Sequence, residues 1–172
     1  MFPNEWHDYT QCGNVIEDTN IICFKVPLKS EVFKYITDDN DIWTVEKLIK
    51  QIPTLGAVIE LNDADKQYYQ SDKIRLAGLL YKKINVTSRV LPNQNLVNDF
   101  FNTMEKFLKK CPGMLIGVHC THGVNRTGYM VCNYLIHKKG LSPAQAINQF
   151  EKARGHKIKR KKYIDNLLNQ FL

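Results

Sequence analysis

Apolar residues recur along this chain in two alternating patterns. Short continuous runs have the look of buried strands, and longer stretches carry one apolar face at helical spacing. Ile21-Ile22-Cys23-Phe24 is the first short run. Val45, Leu48, Ile49 and Ile52 then share a helical face behind Thr44, a capping residue type, and Pro53 stops that helix. Ala57-Val58-Ile59-Glu60-Leu61 is a second strand, running into turn chemistry at Asn62-Asp63-Ala64-Asp65. Leu79 to Ile84 reads as a third. After Pro92 a long helix is expected, with Leu96, Val97, Phe100, Phe101, Met104, Phe107 and Leu108 on one side. Met114 to Val118 is a further strand, and the apolar stretch Tyr129 to Ile136 a further helix. Ser142-Pro143-Ala144-Gln145 is a helix start: serine caps, proline sits in the first turn, and glutamine completes a capping box. Ala146, Ile147 and Phe150 should face inward from it. Ile164, Leu167, Leu168 and Phe171 mark a last helix.

Strands alternating with helices argue for an α/β fold, a central, mostly parallel twisted sheet flanked by helices. The 172 residues are expected to form one domain, 1–172, with no internal repeat, low-complexity tract or linker. Composition is that of a globular protein, 44% hydrophobic and 24% charged. No apolar run is long enough to span a bilayer, and the first residues lack the basic and apolar regions of a signal peptide. Five cysteines, odd in number and without metal-knuckle spacing, fit an intracellular, reducing compartment. The formal net charge of +7 favours a polyanionic partner such as nucleic acid, a phosphorylated ligand or a membrane surface.

One segment carries chemistry. His119-Cys120-Thr121-His122-Gly123-Val124-Asn125-Arg126-Thr127-Gly128 lies between a predicted strand and a predicted helix. Such a loop turns backbone N–H groups and a helix N-terminus toward one point, an anion site. Cys120 placed there, with a thiol pKa lowered from ~8.5, is a nucleophile for phosphorus. Arg126 offers a planar fork to two phosphoryl oxygens. Gly123 permits the turn, Thr127 can donate to the sulfur when it leaves, and His119 is expected to orient the loop. Thr121, His122, Gly123, Val124 and Asn125 would line the phosphate. A metal site from His119, Cys120 and His122 lacks a clear fourth ligand, and no cofactor is called for. A papain-type protease lacks its local signature, and a sulfurtransferase has only the loop cysteine in its favour.

This loop resembles the H-C-x-x-G-x-x-R-[ST] signature of the cysteine-dependent protein tyrosine and dual-specificity phosphatase superfamily. Further segments resemble its RNA 5′-phosphatase branch, which includes the metazoan capping-enzyme triphosphatase domain and stand-alone relatives, baculoviral ones among them. Those segments are Leu61-Asn62-Asp63 with Tyr68-Tyr69, Gly78 to Ile84, and Phe150-Glu151-Lys152-Ala153-Arg154-Gly155-His156-Lys157-Ile158. The resemblance covers nearly the whole chain. It implies a dual-specificity-phosphatase-like fold and a phosphocysteine intermediate.

It also implies a general-acid aspartate about thirty residues before the cysteine in the protein phosphatases. The corresponding stretch, Ile84 to Asn93, has neither Asp nor Glu. A phenolate (pKa ~10) needs a proton as it leaves, whereas a terminal phosphate departs as an oxyanion whose relevant pKa is ~6. An RNA 5′ tri- or diphosphate therefore suits the loop, with removal of the γ-phosphate and by resemblance the β-phosphate. A dual-specificity or tyrosine protein phosphatase acting on phosphoproteins is the alternative, and a non-catalytic RNA- or phosphoprotein-binding module the weaker one. Asp63 and Asp65 are the nearest candidates to act as an acid or to position water. Six Lys/Arg residues lie between Arg154 and Lys162. Of these Arg154, Lys157, Lys159 and Arg160 are expected at a rim that holds the remaining phosphates and the RNA backbone. Tyr68 and Tyr69 could stack on a base, although packing is the more ordinary role for such residues. A monomer is favoured.

Overall fold

The computed structural model describes residues 1–170. Its centre is a five-stranded sheet in the order β1-β2-β5-β3-β4. The strands are β1 (Cys12–Val15), β2 (Ile21–Phe24), β3 (Leu55–Glu60), β4 (Leu80–Lys83) and β5 (Leu115–His119). All neighbours run parallel except β1, which pairs antiparallel with β2 at the edge. The helices are α1 (Val45–Gln51), α2 (Asp72–Leu76), α3 (Gln94–Lys110), α4 (Asn125–Lys139), α5 (Pro143–Arg154) and α6 (Lys161–Leu168).

Alternation along each strand divides the core into two. Ile21, Cys23, Ala57, Ile59, Ile116 and Val118 face a cluster with α3, α4, α5 and α6. Ile22, Phe24, Leu55 and Val58 face a second, built with Trp6, Trp43, α1 and α2. The anticipated caps are in place. Thr44 accepts from the Lys47 N–H, and Ser142 and Gln145 form the full capping box. α4 is buried continuously from Arg126 to Ile136, so the helix that follows the cysteine runs through the core rather than over it.

Two details of the last helices differ from expectation. Leu168 is exposed, and Tyr163 fills the core beside Leu167. Leu167 is buried and Ile164 packs against the core as expected, but the buried face extends toward Tyr163 rather than Leu168, because the Tyr163 ring takes the core position on that side. Phe171 lies outside the described residues. Edge strand β1, helix α2 and the 3-10 turns at Trp6–Asp8, Ser30–Phe33 and Asp39–Asp41 are short elements without a periodic signature.

Candidate active site

β5 is the central strand, and its last residue, His119, pairs with Phe24 on one side and Glu60 on the other. Cys120 is the next residue, so the loop begins at the carboxyl ends of three parallel strands, where open α/β sheets bind ligands. The loop closes within five residues into the N-terminus of α4. Gly123 makes that possible. Its φ is +71°, and a Cβ there would lie 2.2 Å from the Phe24 carbonyl oxygen. No other residue fits without moving β2.

Cys120 is 3% exposed. Burial pushes its thiol pKa up, but the Arg126 guanidinium, the Thr127 hydroxyl and the amides of Thr127 and Gly123 together outweigh burial, and the net shift is downward. Thr127 Oγ1 is the one buried side-chain oxygen or nitrogen among the described residues without a hydrogen-bond partner. It faces the sulfur, the group it is placed to serve.

Arg126 is held from beneath. Nη1 donates to Val86 O (3.0 Å) and Leu61 O (3.3 Å), and Nη2 to Thr121 Oγ1 (3.1 Å). Asp63 Oδ1 lies 3.6 Å from Nη1 and accepts from the Ser88 N–H at 2.7 Å. Among the described residues no acceptor bonds to Nε. The guanidinium is thus 7% exposed, fixed in plane, and still has donors to offer a ligand.

His119 is fully buried. Its Nδ1–H donates to Cys120 O (2.9 Å), and Nε2 accepts from the Tyr69 hydroxyl (2.8 Å). Burial lowers its pKa, which keeps the ring neutral and the tautomer single. Tyr69 is therefore a core residue that locks His119 rather than a platform for a base. Its neighbours Glu60 and Tyr81 bond to each other, and Asn62 donates to Glu60. The other histidine of the loop, His122, donates its Nε2–H to Asn4 O (2.7 Å) while its ring stacks on Tyr9.

The remaining expected site residues divide. Asp65 is exposed and makes no contact with the loop, because the turn points it to water. Arg154 is not at a rim. It is 2% exposed and sits behind the loop, with Nε donating to Gly123 O (3.1 Å) and Nη2 to His122 O (2.8 Å). The reason is its position at the end of α5, which turns its side chain under the loop before the chain emerges at Gly155. Lys157 and Lys159 are exposed and Arg160 is half-buried. Asn125 Oδ1 accepts from the N–H groups of Lys159 (2.8 Å) and Arg160 (3.0 Å), tying this basic segment to the first residue of α4. Sequence reasoning missed Tyr69 as the partner of His119 and the N-terminal residues Asn4, Tyr9 and Thr10. Their contacts with the loop cross most of the chain, so no local spacing betrays them.

A buried cysteine with its pKa shifted downward by two loop amides, a hydroxyl and a fixed arginine is the arrangement of a cysteine-based phosphatase. Residues 34–171 match the dual specificity phosphatase catalytic domain, and the chain belongs to that family. It is 55% identical over 168 residues to the "Tyrosine-protein phosphatase" of Autographa californica nuclear polyhedrosis virus, covering 98% of this chain and 99% of that one. It is 37% identical over 172 residues to the "RNA/RNP complex-1-interacting phosphatase" of Bos taurus, covering 97% of this chain and 51% of that one. Among solved structures, Tk-PTP in the active form superposes with a TM-score of 0.69 over 94% of this chain and 98% of that one, at 15% identity. That likeness is one of fold. Among the described residues no helix is long and apolar enough to cross a membrane.

Proposed function

We propose that this chain is an RNA 5′-phosphatase that acts without a metal ion, removing the γ- and then the β-phosphate from RNA ends. The Cys120 thiolate attacks the terminal phosphorus, the P–O bond to the next phosphate breaks, and that phosphate leaves as an oxyanion. Arg126 and the loop amides hold the equatorial oxygens throughout. Water then attacks the phosphocysteine, phosphate departs, and Thr127 donates to the sulfur as it becomes a thiolate again. Asp63 carries both of its contacts on Oδ1, which leaves Oδ2 to orient that water.

The observation that carries the reading is the segment 84–93. It lies against the site, since Val86 O accepts from Arg126, and it is fastened to α6 by the Tyr163 hydroxyl on Val90 O and by Lys162 on the Arg89 carbonyl. Yet it brings no carboxyl group. A site of this kind favours a leaving group that needs no proton. Lys157, Lys159 and Arg160, moored to Asn125, supply cations for the α- and β-phosphates and the backbone beyond. The RNA in the printed name of the Bos taurus relative points the same way.

The test is release of labelled phosphate from RNA carrying the label at the γ or β position, with chelator present. Release from both positions, lost in Cys120→Ser, is expected. No release from either position removes the proposal. The printed name of the Autographa relative favours a second reading, a tyrosine or dual-specificity protein phosphatase. Comparing kcat/KM for triphosphate-ended RNA and a phosphotyrosine peptide separates the two, and a peptide preference would make the second reading the main one.

A further inference from the structure

The family match begins at residue 34, so the first 33 residues lie outside it. They are not a loose leader in this fold. Trp6 is buried, and its Nε1–H donates to Val26 O (3.0 Å). The ammonium of Lys25 lies 3.5 Å over the Trp6 ring and donates to Trp6 O (3.0 Å) and Tyr9 O (2.8 Å). Residues 4–10 are thereby pinned across the end of β2, beside the cysteine loop.

From there the segment reaches the loop twice. The first contact is direct, through Asn4 O and the Tyr9 ring on His122. The second passes through Arg154. Thr10 Oγ1 accepts from Nη1 (2.9 Å) and Thr10 O from Nη2 (2.8 Å), while the same guanidinium donates to His122 O and Gly123 O. Every peptide here is trans. In a trans peptide the carbonyl and the following N–H point in opposite directions. Holding His122 O from behind therefore aims the Gly123 N–H forward, and holding Gly123 O aims the Val124 N–H forward. The Gly123 amide is one of those that reach the Cys120 sulfur. Arg154 sets the tilt of these two peptides, and among the described residues no carboxylate bonds to it. Thr10 completes its set of partners, as the acceptor for Nη1 and the second acceptor for Nη2.

The geometry points to Thr10 as a positioning residue of the active site: through Arg154 it holds the peptides on either side of Gly123 in the orientation that receives phosphate. Residues 4–10 are then part of the working site rather than an appendage to the family's domain. This inference rests on the cysteine loop and not on the nature of the leaving group.

Thr10 is exposed, so Thr10→Val removes the hydroxyl from a folded protein. Three quantities decide the matter, none involving RNA: kcat and KM for p-nitrophenyl phosphate, the dissociation constant for orthovanadate, and the pH midpoint of Cys120 alkylation by iodoacetate. In Thr10→Val, kcat/KM should fall and vanadate binding weaken by about tenfold, the scale of one hydrogen bond to a charged group. The alkylation midpoint should rise by roughly half a unit as the amides lose their aim. Thr10→Ser should restore all three. Vanadate affinity and alkylation midpoint equal to those of the wild type in Thr10→Val, at any melting temperature, would overturn the inference. So would a Thr10→Ser variant as impaired as Thr10→Val, since it keeps the hydroxyl.

Discussion

Arg126 and Arg154 stand on opposite sides of one loop, and both are almost fully buried. Arg126 is braced by two carbonyls, a hydroxyl and the Asp63 carboxylate, and it retains N–H groups for a ligand. Arg154 directs Nε, Nη1 and Nη2 to backbone carbonyls and the Thr10 hydroxyl. The same residue type thus meets two different sets of partners on the two sides of one loop. In front, Arg126 lies beside the Cys120 sulfur with donors left over; behind, Arg154 binds the carbonyl ends of peptides in the loop. An anion hole made of backbone needs both, because a peptide cannot be aimed by its N–H alone.

The comparison is sharpest in Arg126→Lys. Lysine keeps the positive charge but loses the planar fork, so turnover should drop by about 10²–10³-fold. The Cys120 alkylation midpoint should stay below that of an ordinary thiol, because a cation still faces the sulfur. Turnover retained within a few-fold in Arg126→Lys would mean that Arg126 acts by charge alone. Arg154→Met should cost less activity, about ten- to a hundredfold, and more stability. It leaves the His122, Gly123 and Thr10 acceptors without a donor, each omission worth about 1–3 kcal/mol, offset in part by relief of a buried charge. The melting temperature should fall by roughly 5–10 °C, measured by calorimetry. A variant with normal melting and normal turnover would erase the distinction between the two sides. Arg160→Ala should have the smallest effect. KM for triphosphate-ended RNA should rise by about three- to tenfold, with a shallower salt dependence and little change in kcat. A changed kcat on p-nitrophenyl phosphate would place Arg160 inside the pocket instead of beside it.

The front of the loop was legible from residues alone. Cys120 and Arg126 are six positions apart in one turn, and the strand before and helix after them have clear periodicity. The sheet's parallel character followed from the alternation of elements, and the caps at Thr44 and Ser142 from residue types next to one another. The back of the loop was not legible. Arg154 belongs to a run of cations and reads as a surface group, since a charge run carries no sign of which member turns inward. Only the end of α5 lying under the loop makes it a buried donor. Asp63 and Asp65 look equivalent in their turn, yet one meets Arg126 and the other meets water. Tyr69 pairs with His119 across 50 residues, and Thr10 with Arg154 across 144.

Local chemistry, then, determined where the strands, helices and reactive loop of this chain would be. Those features depend on sterics, capping and periodicity among residues within a turn or two of one another. Tertiary structure alone decided which face of each side chain the loop would meet. It set one arginine beside the cysteine with donors to spare and turned another toward peptide carbonyls. It also brought the first residues of the chain to the site. Those assignments turn on packing between segments far apart in sequence, and the residue types themselves are compatible with either outcome.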